Sequence, residues 1–171
     1  MKAVIVGCGR VGAGLADDLD RAGWQVLIID LRSAAFDRLP AGFGGTALRG
    51  DGTDEDTLRR AGAENADLFL ALTEGDNRNI MAAQLGVEAL GAHKTVAKVN
   101  DPVRAEAYAH LGIATLCRTN LMTTALLGFA GQGIATRPGV YSPQNRHTHP
   151  PDALDEAGVE GTTAAAAATA P

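Results

Sequence analysis

The chain has 171 residues, 46% of them hydrophobic but only 4% aromatic, and a formal net charge of −5. This length suits one domain of ordinary size, with a core built from Val, Ile, Leu and Ala. Fifteen basic against twenty acidic residues exclude a general nucleic-acid binder, which would carry a basic surface. No apolar run approaches the roughly 18 residues needed to span a bilayer.

The opening MKAVIVGCG has too short an apolar stretch for a leader peptide, and glycine interrupts it, so a cytoplasmic protein is expected. Cys8 and Cys117 have neither a CxxC spacing nor a nearby histidine pair. They read as small core residues, and no metal site is expected.

Short β-rich runs then alternate with helical stretches. Residues 2–7 form a continuous apolar strand, and residues 10–22 show helical periodicity through Val11, Leu15 and Leu19. WQVLIID, residues 24–30, is a second buried strand. A short helix is expected over 33–39, with Ser33 as its N-cap and Pro40 following. A weaker strand covers 45–49, and Thr53 begins a helix with Asp54, Glu55 and Asp56 in its first turn, where acids suit the helix dipole. DLFLAL, residues 67–72, is the fourth strand. The helix over 76–91 is expected to bury Ile80, Met81, Leu85 and Leu90. Residues 95–99 are a fifth strand, followed by a helix over 101–111 with Pro102 at its first position. Residues 113–117 are a sixth strand. The last helix, 120–130, carries Leu121, Met122, Leu126, Leu127 and Phe129.

This alternation predicts an α/β, Rossmann-like, doubly wound parallel sheet of six strands. The strands read as unbroken apolar runs because helices cover both faces. From 137 to 171 the composition changes: five of the seven prolines and an alanine run fall here. Such a segment buries too little surface to offset its ordering entropy and is expected to be disordered. His147 and His149 lie in this tail, without partner ligands.

The chemistry concentrates at the end of the first strand. Gly7-Cys8-Gly9-Arg10-Val11-Gly12 is GxGxxG between a strand and a helix, the context that gives the motif meaning. Gly7 permits the tight turn, Gly9 lets the backbone approach a pyrophosphate, and Gly12 lets helix and strand pack closely. The phosphate then sits on free N–H groups at the helix N-terminus. The second strand ends in Asp30, 18 residues after Gly12, placed for the ribose hydroxyls of an adenosine; Leu31 and Arg32 follow it. Arg32 suits a 2′-phosphate or is a solvated loop charge. With Asp30 beside it, a 2′-hydroxyl is preferred. Arg10 clamps phosphates, reaches a neighbouring subunit or is a plain surface charge. Asp51, in Gly50-Asp51-Gly52-Thr53-Asp54, lies beside the adenine pocket or caps the following helix. Thr73, Asp76 and Asn79 stand at the rim after the fourth strand, and Lys98 near the end of the fifth. No Ser-His-Asp, Cys-His or paired-acid constellation can be assembled. A dehydrogenase also needs a substrate domain, for which too little chain follows the sheet.

GCGRVG, LIID, GDGTDEDTLRRAG, ADLFLALTEGDNRNIMAAQLG, AKVNDP and YAHLGIATL, in this order and spacing, resemble the TrkA-N domain, also called RCK or KTN, in its short Trk/Ktr potassium-uptake form. The resemblance covers residues 1–130 and implies three regions: a nucleotide-binding domain at 1–118, a dimerisation or crossover helix at 119–136, and the tail at 137–171. It implies a cytoplasmic, non-enzymatic gating subunit at the inner face of the membrane, bound to a potassium-translocating (TrkH/KtrB-like) subunit. It further implies a homodimer that builds an octameric ring, or a hetero-ring with a second RCK chain. The implied ligand is an adenine nucleotide, ATP/ADP or NAD(H), on Gly7, Gly9, Arg10, Val11, Gly12, Asp30, Leu31 and Arg32, with Asp51, Gly52 and Thr53 beside the adenine, Thr73, Asp76 and Asn79 at the rim, and Lys98 near the phosphates. By the same resemblance Arg10 reaches a γ-phosphate near the dimer interface, and the last helix crosses to a second subunit; packing on its own sheet is the alternative. A regulator of another membrane transporter, or an NAD-dependent oxidoreductase, are the other readings.

Overall fold

The strands are β1 (Lys2–Val6), β2 (Gln25–Asp30), β3 (Thr46–Arg49), β4 (Leu68–Ala71), β5 (Thr95–Val99), β6 (Ala114–Cys117) and β7 (Val140–Tyr141). The helices are α1 (Arg10–Arg21), α2 (Glu55–Arg60), α3 (Asp76–Glu88), α4 (Pro102–His110) and α5 (Arg118–Phe129), with a 3-10 segment at Ser33–Arg38. This computed structural model describes residues 1–131 and 138–143.

The strands join in one seven-stranded sheet of order β3-β2-β1-β4-β5-β6-β7. The first six are parallel, and β7 runs antiparallel to β6. Strand alternation sends Val4, Val6, Leu27, Ile29, Phe69 and Val99 to one face, where they pack with Leu58 of α2, Ile80 of α3 and Ala105 of α4. Ile5, Val26, Ile28 and Leu70 go to the other face, against Ala13 and Ala16 of α1. The strand order reverses between β1 and β4, so a crevice opens outside their carboxyl ends.

Several expectations are corrected. The sheet has a seventh strand, formed by residues expected to lie in a disordered tail. Asn120, which is buried, donates from Nδ2 to Pro138 O at 3.0 Å and to Tyr141 Oη at 3.1 Å, and Cys117 N–H donates to Gly139 O at 2.7 Å. These bonds seat β7 on the open edge of β6. The remainder of the tail, with His147 and His149, and residues 132–137 lie outside the described residues.

The helix expected from Thr53 starts at Glu55, because Asp54 is its cap and accepts from Thr57 N–H at 3.1 Å. The Asp54 carboxyl is held below its ordinary value, chiefly by the Thr57 hydroxyl. Ser33 caps nothing: Arg32 occupies the cap position and makes no side-chain bond there. Met81 is exposed, since α3 turns Asn79, Ile80, Ala82, Ala83 and Gly86 inward instead. The last helix begins at Arg118 and not Asn120, with the Cys117 sulfur accepting from Asn120 N–H at 3.5 Å.

Candidate functional site

The crevice is built on close backbone packing. Gly7 has φ +107° and donates its N–H to Ile29 O at 2.7 Å. A Cβ there would stand 2.9 Å from Thr73 N, and one on Gly12 would stand 2.0 Å from Gly7 O. Neither position accepts a side chain. Gly9 differs: a Cβ there would meet nothing within 4 Å, so the loop is open on the side where a ligand would lie. Gly9 also caps α1 with extended backbone and no side-chain hydrogen bond. The first N–H groups of the helix therefore remain available at its positive end.

Asp30 closes the loop from the end of β2. Its Oδ2 accepts from Cys8 N–H at 2.8 Å and its Oδ1 from Arg32 N–H at 2.9 Å. The Arg32 guanidinium lies 3.9 Å from the same carboxylate. Burial, and then the Asp30 charge, push the Cys8 thiol up, against an opposing pull from Arg38. It stays protonated and donates to Ala35 O at 3.3 Å, a structural thiol.

The crevice has a volume of about 320 Å³. Of the expected site residues, Gly7, Gly9, Asp30, Leu31, Arg32, Gly52 and Thr73 line it. Arg10 and Val11 are exposed on the first turn of α1 and are not in the lining. Gly12 serves packing. Asp51 and Thr53 face each other: Asp51 Oδ1 accepts from Thr53 N–H at 2.9 Å and Thr53 Oγ1 at 2.7 Å, which shapes the turn that presents Gly50 and Gly52. The motif spacing does not single out Glu74 and Arg78, which also line the crevice. Their signal is a pair of opposite charges four residues apart, directly after a strand.

The rim residues hold the frame. Asn79 is fully buried. It accepts from Thr73 N–H at 2.8 Å and Thr73 Oγ1 at 2.7 Å, and donates to Thr73 O at 3.0 Å and Lys98 O at 2.8 Å. It thus fastens the β4–α3 turn to β5. Asp76 accepts from Asn100 N–H at 2.9 Å, Asn100 Nδ2 at 2.8 Å and Asp101 N–H at 3.2 Å. Asn100 O in turn accepts from Thr119 Oγ1 at 2.6 Å, so the rim is bonded through to the first turn of α5. Lys98, on β5 and nearly buried, does not line the crevice.

A nucleoside phosphate fits this donor set. Free N–H groups sit at a helix N-terminus, a glycine with open space lies above them, and a carboxylate stands at the next strand end. No group of His, Cys, Asp and Glu suited to a metal ion occurs among the described residues, and no described helix is long and apolar enough to cross a membrane.

The sequence is 47% identical over 116 residues to the Trk system potassium uptake protein TrkA of Streptomyces coelicolor, covering 68% of this chain and 52% of that protein. The chain thus spans about half the length of this relative. The structure is similar to the TrkA-N domain of the inner membrane protein ybaL from Escherichia coli, with TM-score 0.66 and 17% identity over 75% of this chain and 95% of that one. It is also similar to the Kef CTD of Shewanella denitrificans in AMP-bound form, with TM-score 0.62 and 23% identity over 78% of this chain and 84% of that one. The GsuK channel bound to NAD gives TM-score 0.61 and 18% identity over 74% of this chain and 23% of that one. The sequence pattern of the TrkA-N domain matches residues 3–119, and the chain belongs to that family.

Proposed function

We propose that this chain is a nucleotide-sensing regulatory subunit of a Trk/Ktr-type potassium transporter, with no catalytic role of its own. The observation that carries this reading is the crevice of a TrkA-N family member, with its open Gly9 and its Asp30 carboxylate. The ligand is an adenine nucleotide, ATP/ADP or NAD(H). Similar folds solved with AMP and with NAD, and a relative named for potassium uptake, support the assignment.

The first-turn N–H groups of α1 receive phosphate. Asp30 receives ribose hydroxyls with the lone pairs left over from Cys8 and Arg32. Arg10, exposed beside the loop, reaches the terminal phosphate of a nucleotide across the dimer interface. The bonded series Thr73–Asn79–Lys98 and Asp76–Asn100–Thr119 ties the rim to α5, the helix that crosses to the second copy. A nucleotide acts on the assembly only through contacts that differ between its two states. The resulting dimer builds a ring, alone or with a second RCK chain, against a potassium-translocating membrane subunit at the inner face of the membrane.

Titration of the purified protein with ATP, ADP, NADH and NAD tests the first step. Saturable binding of at least one is expected. Binding of none removes the sensing role.

A further inference from the structure

Two charged residues of the crevice lining lie outside the glycine motif and its carboxylate. Glu74 follows β4, Arg78 stands in the first turn of α3, and both are exposed. Strand order separates them from Asp30: β2 and β4 flank β1 on opposite sides. Asp30 and Glu74 therefore stand on either side of the glycine loop that β1 feeds. Thr73, next to Glu74, is packed on that loop, since a Cβ on Gly7 would stand 2.9 Å from Thr73 N.

The turn that carries Glu74 is held through both of its neighbours. Thr73 is bonded to the buried Asn79 through its N–H and its hydroxyl. Gly75, the cap of α3, donates its N–H to Thr73 Oγ1 at 3.4 Å. The Glu74 carboxylate itself forms no hydrogen bond and no ion pair with a described residue. Its charge reaches Lys98, which does not line the crevice. In α1 and α2 the pairs Asp17–Arg21 and Glu55–Arg59 close at 2.7 and 2.8 Å, as acid and arginine four residues apart on a helix do. Glu74 and Arg78 have the same spacing and stay apart, because Glu74 precedes the cap and lies off the helix. A fixed main chain thus presents a carboxylate that the fold does not use.

The charged residues of the lining are Asp30, Arg32, Glu74 and Arg78, and their charges cancel. The α1 N-terminus adds a positive field at the loop, which suits the phosphates held there. A further phosphate beyond the loop brings like charge to Glu74. A sugar in that place offers hydroxyls instead, and a hydroxyl donating to a carboxylate makes a short, charge-assisted hydrogen bond.

We infer that Glu74 makes the crevice select a ligand whose second phosphate is esterified to a sugar, a dinucleotide such as NAD(H), over a nucleoside triphosphate. Its carboxylate accepts from that sugar's hydroxyls and repels a terminal phosphate. Asp30 and Glu74 then serve one ribose each, on either side of the loop that holds the pyrophosphate. The inference rests on the nucleotide-binding reading above and narrows its ligand.

Calorimetric titration of the full chain with ADP, ADP-ribose, NAD and ATP tests this. ADP-ribose differs from ADP by the sugar on its second phosphate, so the ratio of their affinities isolates the distal sugar. The unaltered protein is expected to bind ADP-ribose about tenfold or more tightly than ADP, the worth of a charged hydrogen bond, and NAD more tightly than ATP. Glu74→Ala removes an exposed side chain without bonds to the fold and should bring ADP-ribose and ADP to within about twofold of each other. Glu74→Gln keeps an acceptor and loses the charge, so its ratio should fall between the two and its ATP affinity should rise. A ratio that Glu74→Ala leaves unchanged overturns the inference. Tighter binding of ATP than of NAD by the unaltered protein also overturns it, and makes the unpaired Arg78 a reader of terminal phosphate. If the unaltered protein binds none of the four, the nucleotide reading itself fails. If it binds ADP and ADP-ribose equally, that reading stands and only the selection by Glu74 fails.

Discussion

Helices α1 and α5 are each 12 residues long and each follows a strand of the same sheet, yet they behave oppositely. α1 reads RVGAGLADDLDR, half polar, and is clamped to the sheet through Gly12, Ala13 and Ala16. α5 reads RTNLMTTALLGF, far more apolar, and buries only Asn120. Leu126 is 60% exposed and Phe129 93%. Apolar content alone does not determine what a helix buries. Small residues let α1 approach the glycine loop, whereas the bulky face of α5 finds no seat on its own sheet. The described chain does not use the alternative in which α5 packs down on that sheet. An apolar face of this kind suits a second copy, as the proposed crossover requires.

Replacing Leu126 is the strongest way to break this contrast. Leu126→Asp puts a carboxylate into an apolar interface, where an unpaired charge costs several kcal/mol, and it should turn the dimer into a monomer. Light scattering coupled to size-exclusion chromatography reads the result, and a persistent dimer refutes the crossover. At the other end of the sheet, Asp30→Ala should weaken adenine-nucleotide binding by about 1–3 kcal/mol. It also releases Cys8 and Arg32 from their anchor. Unchanged affinity by calorimetry would take Asp30 out of the site.

Truncation sharpens the boundary of the C-terminal region. Ending the chain after residue 143 should leave the melting temperature nearly unchanged. Ending it after residue 131 strands the buried Asn120 amide and the Cys117 N–H, a loss of roughly 1–3 kcal/mol. Equal melting temperatures for the two truncations would show that β7 contributes nothing.

The smallest effect lies at the amino end of the strands. The Asp67 carboxyl is held below its ordinary value, first by the Lys2 N–H, which donates to it at 2.7 Å, and also by the chain amino group and His93. A lowered folded pKa means that this stabilisation is complete above the ordinary carboxylate range and is lost as pH falls through the folded value. Asp67→Asn should therefore flatten the acid limb of the stability curve and change little near neutrality. Parallel melting curves from pH 2 to 7 for both proteins, scaled to the ordinary carboxylate pKa of about 4, would contradict it.

The six parallel strands and the glycine turn were legible because each is a local pattern: unbroken apolar runs, and glycines whose spacing matches backbone contacts. What escaped depends on contacts between distant residues. Val140 and Tyr141 form a strand only because β6 ends in an open edge and Asn120 bonds both Pro138 and Tyr141. The valine–tyrosine pair between turn formers was the available signal. Met81 points outward because Asn79 takes the buried position, drawn in by its four bonds to Thr73 and Lys98. In the site, the residues that touch the crevice through backbone were readable. Asp51 and Asp76 were readable as polar residues in the right place, but their carboxylates bond to the frame around the crevice. Glu74 and Arg78 line it and belong to no spacing rule.

Because β7 runs antiparallel to β6, with Leu116 opposite Val140 and Thr115 opposite Tyr141, the chain at residue 143 is heading away from the carboxyl ends of the parallel strands. A tether attached at residue 143 of a chain ended there leaves from the side of the sheet opposite the crevice. Immobilising the protein on a sensor chip through this end would keep the mouth of the crevice facing solution. Attachment at Thr119, exposed in the first turn of α5, would place the linker on the same side of the sheet as the crevice.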